Sequence, residues 1–481
     1  MQADKRENAY LTVFLSLSIT IILSLILTLV YGVRVGAMKL KLECVSDIAM
    51  NSVLAEYHKE LFDQYDLLMV DTSYGSAYPG IINAEERLRY YVDSNFDKSI
   101  QAVILKTSDF ATLQCSYAEI PEYSLACDNN GAVFRRQILE YMKAEPITGI
   151  LSEVTQNIEV LNISGFDSRD VEAEADSKNK EINEMEKPMR ENEDGEMEEV
   201  PINNPADEVN AKKSLGLLSL ILPKDKEISG SSVNLSRYCS NRDKLKGTGL
   251  SDEENLSEMD ALLIDQYIFE KCSYYSKELS KSELKYQIEY LIGEKGSDKE
   301  NLEAVARKLL FWREASNAFY IFGDSEKKAE AKALATALSA VTLSPELLEA
   351  ITISILFAWS FAESICDLKA LFSGGRAPLI KTSGTWKTSL KNMADFEGNG
   401  SDGDIKDGLN YEEYLRMMLF LKGMNRKTEL LMDVMEMDIR RTKGNSEFRI
   451  DGCMDCYTAE IEAIGSGYCG GIRRTYGYEE Y

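Results

Sequence analysis

The sequence predicts an α+β fold, predominantly helical, with a long N-terminal transmembrane helix, a mixed α/β region and a helical C-terminal region. Three observations predict it. An uncharged run of 21 residues extends from Leu11 to Tyr31. Apolar residues then recur at three- and four-residue spacing, both just past this run and through the C-terminal half. Between and after them lie short stretches rich in branched and aromatic residues, which read as strands.

Leu11 to Tyr31 contains no charge, Gly or Pro. At about 1.5 Å per residue it reaches roughly 31 Å, the thickness of a bilayer's hydrocarbon core. Its six Ser/Thr hydroxyls can bond back to carbonyls one turn earlier. A cleaved signal peptide is the alternative, with Gly36 and Ala37 as small residues for a peptidase, but the run exceeds the ~7–15 apolar residues of a signal's central region. Lys5 and Arg6 precede the span while Arg34, Lys39 and Lys41 follow it, a count that slightly favours a cytoplasmic C-terminal side; the short ten-residue head and the large C-terminal body weigh against it, and orientation stays open. Beyond the span, Val33, Ala37, Leu40, Cys44 and Ile48, then Val53, Tyr57, Leu61 and Tyr65, mark one helical face. With no Pro before Pro79 and no Gly between Gly36 and Gly75, a single helix to about Leu68 is expected, with Val53, Tyr57, Leu61 and Tyr65 as its packing face.

The order "LTVFLSL", an apolar span, then "KLECVSDIAMNSVLAEYHKELFDQYDLLMVD" resembles the start of the TadE/TadG-like, pilin-related proteins of tight-adherence (Flp type IVb) pilus clusters. It is more closely similar to a Gram-positive family of unknown function, large membrane-anchored proteins found with such clusters. That second resemblance covers most of the chain and is strongest from Tyr286 and again around "AWSFAESICDLKALFSGGRAPLIKTSGTWKTSL". The resemblance implies a pilin-like helix and partners among other pilin-like or pilus-assembly proteins, and supplies no enzymatic activity. One departure stands out: type IV prepilins carry a processing Gly before the apolar helix, whereas "KRENAYLTV" has none, so processing as an ordinary filament subunit is not expected.

Farther along, "LLMVD" (Leu67 to Asp71) reads as a strand, Ile82 to Phe96 as a helix, Gln101 to Ala126 as β-like, and Gly131 to Asn162 as a helix kinked or divided near Pro146. Residues 167–210 carry 16 Asp/Glu against 5 Lys/Arg and no aromatic residue, too little apolar surface to offset ordering entropy. Four regions follow: residues 1–70, the span (11–31) continuing as a long amphipathic helix; 71–165, an α/β region; 166–212, an acidic disordered linker; and 213–481, a mainly helical domain with a terminal β segment. "SLGLLSLILP" (Ser214 to Pro223) reads as a docked apolar segment. In the last region Ser297 and Glu300 form a capping box, and Ser344 with Pro345 starts a helix that Gly374 and Gly375 end. That helix has an uncharged run of only 13 residues, Ala350 to Ala362, and reads as a buried core helix rather than a second span.

The balance of 54 Lys+Arg against 80 Asp+Glu, a net charge of −26, argues against a nucleic-acid partner, because phosphate binding needs the opposite sign. One histidine, His58, excludes His-based triads and multi-His metal sites from the body of the chain. The nine cysteines form no disulfide scaffold pattern. Cys453, Cys456 and Cys469 are weak metal candidates lacking a fourth ligand, with a local disulfide as the alternative. "GSGYCG" (Gly465 to Gly470) matches G-x-G-x-x-G by letter, yet too little chain follows for a βαβ unit. Asp395 to Glu413 suggests a calcium loop whose ligand positions do not fit; a solvated acidic turn is the better reading. Glu363 and Asp367, at i and i+4 with Arg376 and Lys381 nearby in sequence, read as ion-paired anchors, with acid–base catalysis the alternative. No catalytic residue and no cofactor is assigned. The expectation is a non-enzymatic, single-pass cell-membrane protein, its bulk outside the cytoplasm, built into a pilus-like or envelope assembly and touching lipid through residues 11–31. A single-pass sensor or ligand-binding protein is the alternative.

Overall fold

The computed structural model describes residues 2–96, 111–144, 150–186, 189–191, 196–199, 206–213, 216–250, 255–338, 344–393, 408–465 and 467–478. In chain order they form α1 (Gln2–Leu54), α2 (Lys59–Tyr65), β1 (Val70–Asp71), α3 (Ile81–Phe96), β2 (Leu113–Leu125), α4 (Asp128–Ala144), α5 (Ile150–Ser164), α6 (Val171–Glu184), β3 (Met189–Glu191), β4 (Met197–Glu199), α7 (Ala206–Lys213), α8 (Leu217–Ile221), α9 (Glu258–Lys271), α10 (Gln287–Gly293), α11 (Asp298–Gly323), α12 (Ser325–Leu338), α13 (Pro345–Phe372), α14 (Tyr411–Phe420), α15 (Met424–Arg440), β5 (Cys453–Gly465) and β6 (Tyr468–Gly477). The fold is α+β and mostly helical. Two compact units share these elements: residues 1–141, 241–255 and 438–481 form the first, 142–240 and 256–437 the second. The division differs from the sequential one expected from sequence, because the C-terminal strands fold with the N-terminal helix.

In the first unit β5 is the central strand. It pairs antiparallel with β2 along one side, and with β1 and then β6 along the other. Tyr457, Ala459, Ile461 and Ala463 point inward at every second residue, as a strand with one covered face requires. Ala84, Leu88, Val92 and Phe96 of α3 pack on this face, together with Met38, Leu42, Val45, Ala49, Met50 and Val53 of α1. The β-like stretch expected over 101–126 yields β2; residues 101–110 of it lie outside the described residues. Pro121, which cannot donate to a ladder, falls at a register shift between Glu119 and Glu122, where a strand tolerates it.

The long helix is shorter than expected. It ends at Leu54, and a separate helix α2 begins at Lys59. No Gly or Pro forces this break; His58 makes it. Its Nδ1 accepts the Leu61 N–H at 3.1 Å, capping α2, while its backbone N–H donates to Met69 O at 2.8 Å. The stop at the other end uses Asp66 in the left-handed region (φ 55°), its N–H bonded to Phe62 O.

The second unit is built around α13. Ser344 caps its start by accepting the Leu347 N–H, with Pro345 in the first turn, and Gly374 follows its end at φ 85°. Of its most apolar window 89% is buried, as a core helix demands. Neighbours in contact with it include α6, α7, α8, α11 and α12. Leu217, Leu218 and Ile221 of α8 are buried, which places the expected docked segment. The acidic stretch expected to be a disordered linker instead carries α6 and α7. Asp170 caps α6, Val171 is buried, and Ser354 of α13 donates to Asn179 Oδ1 at 2.8 Å. One apolar residue and one side-chain hydrogen bond fix a helix whose composition alone argues against order.

Candidate functional sites

The first candidate is α1. Its apolar N-terminal part is long enough to cross a membrane, and none of its most apolar 18-residue window is buried. Thr20 and Thr28 donate to Ser16 O and Ser24 O one turn earlier at 2.7 and 2.8 Å, so these hydroxyls add no unsatisfied group. Past Tyr31 the two sides of the helix diverge. Met38, Leu42, Val45, Ala49 and Val53 face the sheet, whereas Val33, Leu40, Cys44 and Ile48 are exposed. Of the stripe read from sequence up to Ile48, these four face outward, whereas Ala37 is half-buried against the core. Of the packing face placed farther on, Val53, Leu61 and Tyr65 are buried within the chain's own first unit, and Tyr57 is 38% exposed. Tyr65 donates to Asp438 Oδ2 at 2.7 Å.

The second candidate is the carboxylate pair Glu363 and Asp367 on α13. Lys381 Nζ donates to Glu363 Oε1 (2.5 Å) and Asp367 Oδ1 (2.7 Å). Arg313 of α11 donates through Nε and Nη2 to Asp367 Oδ2 at 3.0 and 2.9 Å. Backbone N–H groups of Lys387 and Thr388 serve Glu363. Burial would raise the Asp367 pKa, but Lys381 and Arg313 outweigh it and hold the carboxyl below its ordinary range. Two anions meet two cations, and all four side chains are at most 1% exposed. That closure leaves no carboxylate oxygen free for substrate, so the geometry is that of a structural anchor. Arg376 lies elsewhere, pairing with Glu413 at 3.3 Å.

Three lone buried carboxylates escaped the sequence reading. Glu289 is fully buried, and its pKa is pushed up to about 7, mainly by desolvation. Its Oε1 accepts the Tyr411 hydroxyl (2.8 Å) and the Tyr275 N–H (2.9 Å), while Oε2 has no partner. Burial likewise pushes Glu314 to about 7 and Asp433 to about 6. Ser240 and Tyr290 donate to Asp433. For Glu289 the available signal was a lone acid inside an apolar run, "QIEYLI"; Glu314 stands beside Arg313 in "FWREAS" and gives no such signal.

The cysteine candidates do not converge. Cys453 and Cys456 sit three residues apart on β5, hence on opposite faces, and both are buried. Cys469 is exposed on β6 opposite Ile464, eight residues along β5 from Cys456, on the order of 26 Å at strand rise. That distance excludes a shared ion or a local disulfide with Cys469. "GSGYCG" joins the end of β5 at Gly465 to the start of β6 at Tyr468, with Gly467 at φ 76°. Of the possible calcium loop, residues 395–407 lie outside the described residues; Glu413 caps α14 together with Asn410. Among the described residues no group of three or more His, Cys, Asp and Glu is placed to hold a metal.

An open cleft of about 560 Å³ in the second unit is lined by residues including Arg169, Phe319, Tyr320, Phe322 and Asp324. Beside Tyr320 stands Trp386, which makes an edge contact with Trp359, and Lys327 Nζ lies 4.3 and 4.9 Å from the two indole rings. The cleft offers aromatic faces and cations, the materials of a small-ligand site.

Neither a curated protein nor a solved structure matches the chain. A family of unknown function, DUF5702, matches residues 195–464. That match takes in α13, the buried charge cluster and nearly all of β5, and leaves α1 outside it. Because it spans more than half of the sequence, the chain belongs to the DUF5702 family.

Proposed function

We propose that this protein is a non-enzymatic, membrane-anchored structural component of a Tad-like pilus or related envelope assembly, with both units outside the cytoplasm. The observation that carries the reading is the division of labour along α1. Its first half is bare and apolar, its second half is built into the sheet, and the exposed stripe Val33, Leu40, Cys44 and Ile48 continues outward from the span. A helix that only tethered a domain would need no such apolar stripe on solvent. The occupant proposed for it is a helix of another pilin-like subunit, packing as side-by-side helices do. Consumption of Glu363, Asp367, Arg313 and Lys381 in a closed cluster supports the absence of catalysis.

Cys44 on the stripe supplies the test. Oxidative cross-linking in membranes from cells expressing the whole cluster is expected to trap Cys44 adducts to pilin-like subunits, identified by mass spectrometry. Protease added to intact cells is expected to digest both units. A body protected in intact cells and cut in inverted vesicles would overturn the reading. The second reading, a single-pass sensor, is favoured by the cleft lined by Phe319, Tyr320 and Phe322, with Trp386 packed against Tyr320; saturable quenching of tryptophan fluorescence by a small ligand, lost in Trp386→Phe, would select it.

A further inference from the structure

The foot of the sheet meets α1 where the bare span ends. Tyr31 Oη donates to Gly467 O at 2.8 Å, and a Cβ on Gly467 would stand 3.3 Å from that ring. Above this point helix and hairpin climb together. Gly465 lies against Met38, Asp47 accepts from Arg474 and Tyr476, and Tyr478 donates to Leu54 O. From Tyr31 to Leu54 is roughly 35 Å of helix, and from Gly467 to Tyr478 roughly 36 Å of strand. The hairpin is thus as long as the covered part of the helix, and its turn stands at the last turn of the span. β2 begins at the same level, with Leu113 opposite Gly465.

Two features of this foot lack an explanation within the fold. Arg34, one turn above Tyr31 and one below Met38, has its Nε buried without a partner, and no acidic side chain among the described residues pairs with it. Secondly, the described residues of the foot include no carboxylate, in a chain of net charge −26. No Asp or Glu occurs over residues 10–42, 111–118 or 463–470, while Arg34, Lys39 and Lys41 do. Around them Tyr31 (53%) and Ile464 (51%) are exposed, the aromatic and apolar residue types that settle at a bilayer's interface.

We propose that the β5–β6 turn, with Tyr31, Arg34 and Ile464, is a lipid-headgroup site: the sheet stands on the bilayer surface, and the Arg34 guanidinium takes a phospholipid phosphate. The proposal rests on the reading of α1 as a membrane span. A guanidinium binds phosphate through paired N–H donors, and a rim without carboxylates is a surface that an anionic leaflet does not repel. The contact gives the head a second purchase on the membrane beside its helix.

Full-length protein, purified in detergent and reconstituted into phosphatidylcholine vesicles with or without phosphatidylglycerol, tests this with brominated lipids as quenchers. Three reporters are read against the parent chain: Leu23→Trp in the span, Ile464→Trp at the foot and Thr475→Trp high on β6. Expected are quenching of Leu23→Trp by deep bromines, quenching of Ile464→Trp by bromines beside the headgroup, and none at Thr475→Trp. In the Ile464→Trp background, Arg34→Gln is expected to cut the phosphatidylglycerol-dependent quenching at least twofold, and Arg34→Lys to retain part of it. Quenching at Leu23→Trp with none at Ile464→Trp overturns the headgroup site and leaves the anchor standing. No quenching at Leu23→Trp overturns the anchor reading and the site with it. Unchanged quenching in Arg34→Gln removes the phosphate role of the arginine.

Discussion

Lys381 Nζ lies 2.7 Å from Asp367 Oδ1 and also serves Glu363, deep inside the second unit. Without the ammonium, Glu363 is left with the backbone N–H groups of Lys387 and Thr388, and Asp367 with Arg313 and Asn317. Removing one partner of a buried ion cluster costs about 3–5 kcal/mol. Lys381→Met is therefore expected to lower the thermal unfolding midpoint by several degrees, measured by scanning calorimetry in detergent. A midpoint within a degree of the parent would show the cluster to be solvated.

The buried acids make stability depend on pH in a definite direction. Glu289 and Glu314 rise from 4.5 to about 7 on folding, so the folded chain binds more protons than the unfolded chain between those values. Stability then falls as pH rises through about 4.5 to 7 and stays reduced above it. Glu289→Gln keeps an acceptor for Tyr411 without a charge to desolvate. It is expected to be more stable than the parent at pH 8, by about 1–3 kcal/mol, and to gain nothing at pH 4. Calorimetry at the two pH values checks both signs.

Capping by His58 predicts a smaller effect confined to the first unit. His58→Ala removes the acceptor for the Leu61 N–H and the ring contact with Phe448 at 4.5 Å, a loss of about 1 kcal/mol at the cap. His58→Asn, which can cap, is expected to recover most of it. Hydrogen exchange of the Leu61 amide, followed by mass spectrometry, reads the local opening.

Thiol reactivity separates the cysteines. Cys44 and Cys469 are exposed; Cys239, Cys272, Cys366, Cys453 and Cys456 are buried. Burial, with Glu363 and Asp367 nearby, pushes the Cys366 thiol up to about 12, so it holds no thiolate near neutral pH. Maleimide labelling of the native protein should modify Cys44 and Cys469 within minutes and Cys366 only after unfolding. Early labelling of Cys366 would contradict the packing of α13.

Much of the fold was legible because its signals are local. Ser344–Pro345 announced α13, the terminal β-like segment announced β5, and the uncharged run announced the apolar first half of α1. What the sequence concealed depends on partners distant in the chain. Both stripes of α1 beyond Tyr31 are apolar, so periodicity could not say whether Met38, Leu42 and Val45 or Leu40, Cys44 and Ile48 would meet β5, about 400 residues away. The break before α2 uses a histidine as a cap, outside the usual Ser, Thr, Asp and Asn. Helix α6 holds its place through Val171 and Asn179 against α13, contacts that a count of charges cannot register. Glu363 and Asp367 were legible as a pair, whereas Arg313 joins them only through the packing of α11 on α13.

Central placement of β5 in the first unit has a consequence for the order of synthesis. The sheet-facing side of α1 leaves the ribosome with its first residues, yet Tyr457 to Ala463, which cover it, emerge roughly 400 residues later. At about 5–20 residues per second the nascent chain holds Met38, Leu42 and Val53 for some tens of seconds with α3 as an early partner but without the central strand. A ribosome stalled anywhere before Cys453 therefore leaves α1 and α3 without the strand that their buried faces share.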